Sequence, residues 1–247
     1  MGPLLRDWRL RRRMSQMDLA LEAGVSTRHV SFVETGRSRP SAEMVLHLAD
    51  QLDVPLRDRD ALLLAAGHAP AYGARDLAAS EMAPVREAIQ LVLAGHEPYP
   101  AAVVDRGWNL VAANSGITPL LEGVSAQLLE PPVNVLRVSL HPFGMAPRIA
   151  NLGEWREHLL HRLRRQVALT ADDEVGRLLA ELESFPGPAD DERPPRNDVF
   201  VPLRMKNGMS FFSTVTTFGT AVDITVAELS IESFFPADTA TAEALRG

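Results

Sequence analysis

The stretch that decides the fold runs from residue 15 to residue 36 and reads SQMDLALEAGVSTRHVSFVETG. Ser15 and Ser26 each precede a short run of apolar residues with helical spacing, and serine is a favoured residue at a helix N-terminus. Gly24 lies between the two runs, where a chain that leaves a helix often needs positive φ. The pattern predicts two short helices joined by a glycine turn, with these side chains facing inward: Met17, Leu19, Ala20, Ala23, Val25, Val30 and Val33.

The second of these helices keeps a polar and basic edge outside its apolar pattern. A capped helix, a glycine turn and a second helix with such an edge are typical of the helix-turn-helix, whose second helix enters the major groove of DNA. The sequence therefore predicts a DNA-binding regulator. A bundle that binds another protein is the alternative, and the arginines beside the capped turns favour DNA. The outward residues are Thr27, Arg28, His29, Ser31 and Phe32.

Three more helices are predicted around this pair, within a first domain of residues 1–70. The first runs from Leu4 to Arg13, with Leu4, Leu5, Trp8 and Leu10 inward. Ser41 precedes the fourth, and the fifth spans 56–66 and ends before Gly67. Five short helices of this length can enclose one small core.

The charge is distributed unevenly, and this asymmetry matters more than the net charge of −7. Residues 1–40 hold eight arginines and four acidic residues, a balance of +4, which leaves −11 for the remainder. This distribution is typical of a protein with one nucleic-acid-binding face and an otherwise acidic surface.

The sequence contains no cysteine, which excludes disulfides, zinc-thiolate sites and thiol catalysis. Neither a signal-peptide core nor an apolar run of about 20 residues is present, so we expect a cytoplasmic protein without a membrane partner.

The first domain resembles the Xre (Cro/C1-type) helix-turn-helix family. It shares the elements S-Q-x-x-L-A-x-x-x-G-V-S, E-x-G-x-x-x-P-S and L-A-x-x-L-x-V, which begin at residues 15, 34 and 48. The resemblance implies that Gln16 contacts a backbone phosphate and braces the third helix. It also implies that Arg9 and Glu34 form a structural ion pair between the first and third helices.

The same resemblance assigns the residues that read DNA. Thr27, Arg28, His29, Ser31 and Phe32 would face base edges or flanking phosphates. A bidentate contact of Arg28 with guanine and a contact of Phe32 with a thymine methyl are the expected readout. Arg37 and Arg39, in the following loop, would contact phosphates.

A second domain, residues 81–247, is predicted after a linker at 71–80 that is rich in Gly, Ala and Pro. Two β-rich runs, 99–105 and 108–113, flank a tight turn at Arg106-Gly107. A helical block follows, and then a Pro-rich acidic loop at 185–198 that we expect to be mobile. Three more strands are predicted at 199–205, 210–218 and 226–235. This order predicts an α+β chain whose second domain is a five-stranded antiparallel sheet with helices on one face.

This second domain resembles the PAS-like domain of the MmyB-like transcription regulators. Four segments carry the resemblance: APVREAIQLVL (83–93), VVDRGWNLVAAN (103–114), NVLRVSLHP (134–142) and APRIANLGEWREHLLHRLR (146–164). The resemblance implies a small apolar ligand, such as a fatty acid or a similar acyl molecule. The chain departs from the family in the segment 210–236, which is unusually apolar and rich in Thr, and this leaves the shape of a pocket open.

The predicted strand 210–218 supplies the candidate lining of that pocket. Phe212, Thr214, Thr216 and Phe218 share one face, and Phe211, Ser213, Val215 and Thr217 share the other; the sequence does not say which face points inward. Phenylalanine and threonine together suit an elongated apolar ligand with few polar anchors. A buried carboxylate would need a cation. The candidates are Arg137, His141, Arg148, His158 and Arg162, with Arg148 and His158 favoured.

Two alternatives to ligand binding remain open at this point. In the first alternative, the second domain has an ordinary filled core and acts only in protein interaction and dimerisation. The second alternative is a metal site formed by Glu154, Glu157, His158 and His161, which the sequence does not favour because it indicates no further ligand from another helix. A haem would need one histidine as its axial ligand, and nothing in the sequence distinguishes such a histidine from the others. The sequence shows no glycine-rich phosphate loop, nucleophile elbow or catalytic triad signature, so we expect neither an enzyme nor a required cofactor. We expect a homodimer that reads an inverted repeat in double-stranded operator DNA.

Overall fold

The computed structural model describes residues 1–187 and 201–246, and these residues form two compact units. The first unit contains Met1–Arg75 and, from near the end of the chain, Thr220–Ala227. The second unit contains the other described residues. The division after Arg75 falls within the predicted linker, whereas the assignment of Thr220–Ala227 to the first unit differs from the predicted division.

The first unit is a bundle of five short helices. Their bounds are α1 Gly2–Arg11, α2 Gln16–Glu22, α3 Thr27–Glu34, α4 Ala42–Gln51 and α5 Leu56–Ala65. Ser15, Ser26 and Ser41 cap α2, α3 and α4 through their hydroxyls, as the sequence predicts. Asp18 completes a capping box at α2, since its carboxylate accepts from the backbone of Ser15.

Most of the predicted inward residues form the core of this bundle, but three do not. Met17, Leu4 and Leu10 are exposed, at 67%, 42% and 52%. Met17 lies in the first turn of α2, ahead of the stripe that packs inward. On α1 the buried stripe runs through Leu5, Trp8 and Arg9, and Leu4 and Leu10 fall to its sides. The residues of the core are Leu5, Trp8, Leu19, Ala20, Ala23, Val30, Val33, Val45, Leu48, Ala49, Leu52, Val54, Leu62, Leu63 and Ala66.

The second unit combines helices with a sheet. Its helices are α6 Ala83–His96, α7 Thr118–Leu121, α8 Val135–Leu140, α9 Leu152–Thr170, α10 Asp173–Ser184 and α12 Thr239–Ala244, and its strands are β1 Ala101–Val104, β2 Leu110–Ala113, β3 Leu203–Arg204, β4 Ser210–Thr217 and β5 Ser230–Pro236. A further short helix, α11 Ile224–Ala227, lies between β4 and β5 in the segment that belongs to the first unit.

The five strands form one antiparallel sheet in the order β2-β1-β5-β4-β3, which confirms the predicted fold class. Two strands differ from prediction. The strand predicted at 226–235 begins only at Ser230, because Asp223 accepts from the backbone of Thr225 and starts α11. The strand predicted at 199–205 is reduced to Leu203–Arg204 within the described residues. Its first two positions lie outside them, as does most of the predicted loop at 185–198.

Helices pack against both faces of this sheet, whereas the sequence predicted helices on one face; the additional helix is α6. On one face Ala101, Val103 and Ile231 pack with Ile89 and Leu93 of α6. The predicted helical layer covers the other face, where the core includes these residues: Val104, Leu136, Val138, Trp155, Leu159, Leu160, Leu163, Phe211 and Phe234. Each strand contributes side chains to both of these cores, because successive side chains of a strand point to opposite sides of the sheet.

The segment 220–227 is held to the end of the first unit by three contacts. Ile224 donates its backbone N–H to the carbonyl of Gly73 at 2.7 Å, and the hydroxyl of Thr225 donates to the carbonyl of Arg75 at 2.7 Å. The buried carboxylate of Asp223 forms an ion pair with Arg75 at 3.0 Å. A connection between two strands of the sheet is thereby an integral part of the helical unit.

Candidate functional site

The helix pair α2 and α3 presents one polar edge to solvent. Val30 and Val33 of α3 are buried, and they fix which side of the helix turns outward. Gly24 has a φ of +62° in the turn before α3, as its position predicts, and this lets the chain reverse without strain. Thr27 and Arg28 are exposed; the side chains of His29, Ser31 and Phe32 are half-buried. The structure therefore brings the five predicted readout residues together on α3.

Two arginines flank the aromatic ring on this edge. The guanidinium carbon of Arg28 lies 5.0 Å from the centroid of the Phe32 ring, and that of Arg37 lies 5.9 Å from it. Both distances suit cation–π contacts, which restrain two long side chains without neutralising their charge. Arg28 and Arg37 are exposed, so their donors remain free to meet an anionic partner.

A buried polar network holds α3 in place behind this edge. The guanidinium of Arg9 donates to both carboxylate oxygens of Glu34, at 2.7 and 2.9 Å, and both residues are buried. This confirms the predicted ion pair. Gln16 donates to Glu34 at 2.7 Å, so it braces α3 as predicted. Burial acts to raise the pKa of Glu34, but the hydrogen bonds from Arg9 and Gln16 outweigh it and the pKa is lowered.

Other arginines of the first unit have structural partners. Arg39 donates from Nε to the carbonyl of Ala66 at 3.1 Å and from Nη2 to that of Gly67 at 3.4 Å. Arg12 donates to the carbonyls of Leu52 and Asp53 at 2.6 and 2.7 Å. Both arginines thus satisfy carbonyls at helix C-termini, which otherwise lack intrahelical partners. The phosphate contact of Arg39 stays a prediction.

The second unit encloses an apolar cavity of about 250 Å³ between the sheet and its helical layer. This volume is close to the lower end of the range of ligand pockets, about 300–1,000 Å³. Strand residues Ala102, Val104 and Phe234 form one wall, and Trp155 and Leu159 of α9 belong to another. The remaining apolar lining residues are Leu110, Ile117, Leu120, Leu121, Leu129, Val133, Val135, Leu136, Val138, Met145 and Leu203.

Two polar side chains interrupt this apolar lining. Ser139 of α8 is buried, and its hydroxyl oxygen accepts from Nε1 of Trp155 at 3.0 Å. Glu232 of β5 is 7% exposed and lies directly opposite Ala102 in the sheet. Its Oε1 accepts from Arg162 at 3.0 Å and from the hydroxyl of Ser213 at 3.2 Å.

The three predicted arginine anchors are not among the residues that line this cavity, and each forms a contact with another residue of the second unit. Arg137 forms a bidentate ion pair with Glu181 at 2.7 Å, and Arg162 pairs with Glu232. Arg148 donates to the carbonyl of Leu120.

The two predicted histidine anchors also lie outside the lining. His141 accepts from the backbone of Phe143 at 3.1 Å and lies against Phe185. His158 stacks on Trp155 at 5.5 Å between ring centroids. Burial and the nearby Arg162 lower the pKa of His158, which favours the neutral form of its imidazole.

The predicted residues of β4 also lie outside the lining of this cavity. Phe211, on the alternate face, is fully buried in the adjoining core. Phe212 therefore points to the opposite face and stacks on Phe235 at 5.2 Å, while Thr214 and Thr216 are exposed. Phe218, beyond the end of β4, packs against the core beneath α6. The alternation of side chains along a strand correctly predicts which residues of β4 share a face. Which of the two faces is buried depends on the packing of the helices against the sheet.

The residues that do line the cavity carried no distinct signal in the sequence. Most are Leu, Val or Ile at positions whose spacing is equally typical of a filled core. The signal that could have indicated the cavity is Glu232, a carboxylate within the largely apolar segment 229–235 that lies on a buried face of the sheet. Charged residues are rarely buried without a partner, and Arg162 is that partner.

The alternative of a metal site, which the sequence did not favour, concerns Glu154, Glu157, His158 and His161. Among residues 1–187 and 201–246, no group of three or more His, Asp or Glu side chains is placed to hold a metal ion. Glu154 instead accepts from Asn151 at 2.9 Å. Within the same residues, the helices are too short or too polar to cross a membrane.

A helical unit with a helix-turn-helix and a second unit with an apolar cavity are typical of one class, the DNA-binding transcription regulators that carry a ligand-binding domain. Comparison with family models agrees with this assignment. Residues 5–58 match the model described as helix-turn-helix. Residues 85–247 match the model described as the MmyB-like transcription regulator ligand binding domain, and the chain belongs to this family. A search of curated proteins finds no significant match.

Proposed function

We propose that this regulator binds operator DNA through α3 and changes its affinity for that DNA when an apolar molecule occupies the cavity of the second unit. The ligand class is an aliphatic chain, such as the acyl chain of a fatty acid. The protein acts as a homodimer on an inverted repeat, so that two copies of α3 read two half-sites. Occupancy of the cavity regulates DNA binding because the ligand favours one of two arrangements of the protein.

The observation that carries the proposal is the apolar cavity, whose wall consists almost entirely of Leu, Val, Ile, Met and aromatic side chains. Protein interiors rarely leave an empty space of this size, because each missing contact reduces stability. An apolar guest restores those contacts and removes its own surface from water.

The DNA-binding part of the proposal is tested by two arginine variants. Arg28→Ala is expected to weaken operator binding by about 1–3 kcal/mol and to relax base preference at one position of each half-site. Arg37→Ala is expected to weaken binding on all sequences alike and to reduce the dependence of the binding constant on salt. Fluorescence anisotropy with operator and scrambled duplexes at several salt concentrations measures both effects.

A matched control is Arg177→Ala, which removes an exposed arginine of the second unit whose Nε donates to the backbone carbonyl of Asp173 in its own helix at 3.4 Å. Its affinity for DNA is expected to equal that of the wild type. Unchanged operator binding by Arg28→Ala and Arg37→Ala together would contradict the assignment of α3 as the reading helix.

The ligand part of the proposal is tested on purified protein. Native mass spectrometry and solvent extraction are expected to show a co-purifying aliphatic species in stoichiometric amount. A second unit that serves only protein interaction and dimerisation would yield no such species. It would also show no change in DNA affinity on addition of aliphatic molecules.

A further inference from the structure

The cavity has one chemically distinct place, the side chain of Glu232. It is the only charged side chain among the described residues that line the cavity, and it projects from β5 on the face that carries Phe234. Both of its hydrogen bonds to described residues, from Arg162 and Ser213, are accepted by Oε1. Its second oxygen, Oε2, therefore keeps its capacity to accept a hydrogen bond.

A second polar group faces the same cavity. The hydroxyl oxygen of Ser139 accepts one hydrogen bond from Trp155, and its O–H remains able to donate. The cavity thus offers one strong acceptor, Oε2 of Glu232, and one donor, the hydroxyl of Ser139. A ligand group that both donates and accepts satisfies this pair.

Arg162 balances the charge of Glu232, but its own side chain does not line the cavity. The ion pair with Glu232 holds Arg162, whose guanidinium also lies 4.8 Å from the centroid of the Trp108 ring. Since Arg162 does not line the cavity, the charge that a ligand meets at the wall is that of a carboxylate. An ionised ligand carboxylate would lose its hydration in this cavity, would meet no cationic side chain in the described part of the lining and would carry no donor for Oε2 of Glu232, which is unfavourable.

We propose that the ligand of this cavity is an aliphatic molecule whose polar end is a neutral hydrogen-bond donor, a hydroxyl or a primary amide, bound to Oε2 of Glu232. This inference rests on the proposed ligand-sensing function and specifies the chemistry of the same site. The ionised carboxylate of a free fatty acid is disfavoured at this end of the cavity, because it has no donor for Oε2 of Glu232 and no cationic side chain lines the cavity among the described residues.

The test compares four probes with the same chain length: 1-decanol, decanamide, decanoate and decane. Isothermal titration calorimetry with the full chain at about pH 8, where a carboxyl group is ionised, measures each affinity. We expect 1-decanol and decanamide to bind at least about tenfold more tightly than decanoate. Decane is expected to bind more weakly than 1-decanol, because it offers no donor to Oε2 of Glu232 and no acceptor to the hydroxyl hydrogen of Ser139.

The variant Glu232→Gln is expected to invert this preference. The amide keeps the shape of the side chain but removes its charge, and Arg162 then supplies a positive charge that no carboxylate balances. We expect decanoate to gain at least about tenfold in affinity relative to 1-decanol. The matched control is Glu183→Gln, which removes the same charge from an exposed pair with Arg164 and is expected to leave the ratio unchanged.

The four affinities of the wild type test the proposed headgroup even if Glu232→Gln fails to fold. Decanoate binding as tightly as 1-decanol would overturn the neutral headgroup and leave the ligand-sensing function intact. Failure of all four probes to bind would overturn both. A preference of the wild type for 1-decanol and decanamide, reversed in Glu232→Gln and kept in Glu183→Gln, supports the proposal.

Discussion

Glu34→Ala is expected to destabilise the helical unit by about 3–5 kcal/mol, because it leaves the guanidinium of Arg9 buried without its counter-ion. An arginine cannot escape this cost by losing its proton. The change also removes the acceptor of Gln16, and with it the bracing of α3. Hydrogen-exchange mass spectrometry of the full chain in urea, read on peptides of residues 1–66, measures the loss.

The control for this prediction removes the charge pair as a whole. In the double variant Arg9→Met with Glu34→Leu, apolar side chains of similar size replace both partners, and stability is expected to equal or exceed that of the wild type. If the double variant were as unstable as Glu34→Ala, the cost would come from altered packing and not from the unpaired charge.

The same ion pair gives the helical unit a defined dependence on pH. The pKa of Glu34 is lowered in the folded protein, so the folded state binds a proton less readily than the unfolded state. This contribution to stability is fully present above the unfolded value of about 4.3 and is lost as the pH falls through the lower folded pKa. Urea unfolding of the wild type is expected to show this loss, and the double variant is expected to lack the part that Glu34 contributes.

Ala102→Phe is expected to abolish ligand binding, with at least about a hundredfold loss of affinity. Ala102 lies in β1, lines the cavity and is the partner of Glu232 in the sheet, so a phenyl ring at this position occupies the space beside the proposed polar anchor. Filling an empty apolar cavity commonly stabilises a protein, by about 0.5–2 kcal/mol. The variant is therefore expected to unfold at the same temperature as ligand-free wild type or higher, and its DNA affinity is expected not to respond to 1-decanol.

Val111→Phe is the matched control for Ala102→Phe. It adds a similar ring in the neighbouring strand β2, at a position that is 37% exposed and does not line the cavity. Ligand affinity is expected to remain that of the wild type. If Ala102→Phe bound 1-decanol as tightly as Val111→Phe does, the ligand would have to bind somewhere other than this cavity.

Local signals in the sequence determined the helical unit almost completely. Serine caps, a glycine with positive φ and apolar residues at helical spacing act within a few residues of each other, so Ser15, Gly24 and Ser26 define α2, the turn and α3 before any tertiary contact forms. The order of strands and helices in the second unit was also readable, because the periods of strand and helix differ. The ion pair of Arg9 and Glu34 came from family resemblance, since 25 residues separate its members.

Only the tertiary structure decided where the cavity lies and what lines it. Phe211 and Phe212 are equivalent in the sequence, yet one enters the core and the other stacks on the opposite face, because that choice depends on which side of β4 the helices cover. Likewise, the sequence offered several arginines as ligand anchors, whereas long-range pairing assigned Arg137 to Glu181 and Arg162 to Glu232. Charge pairing across 44 and 70 residues depends on how the elements pack, and no local pattern of residues encodes it.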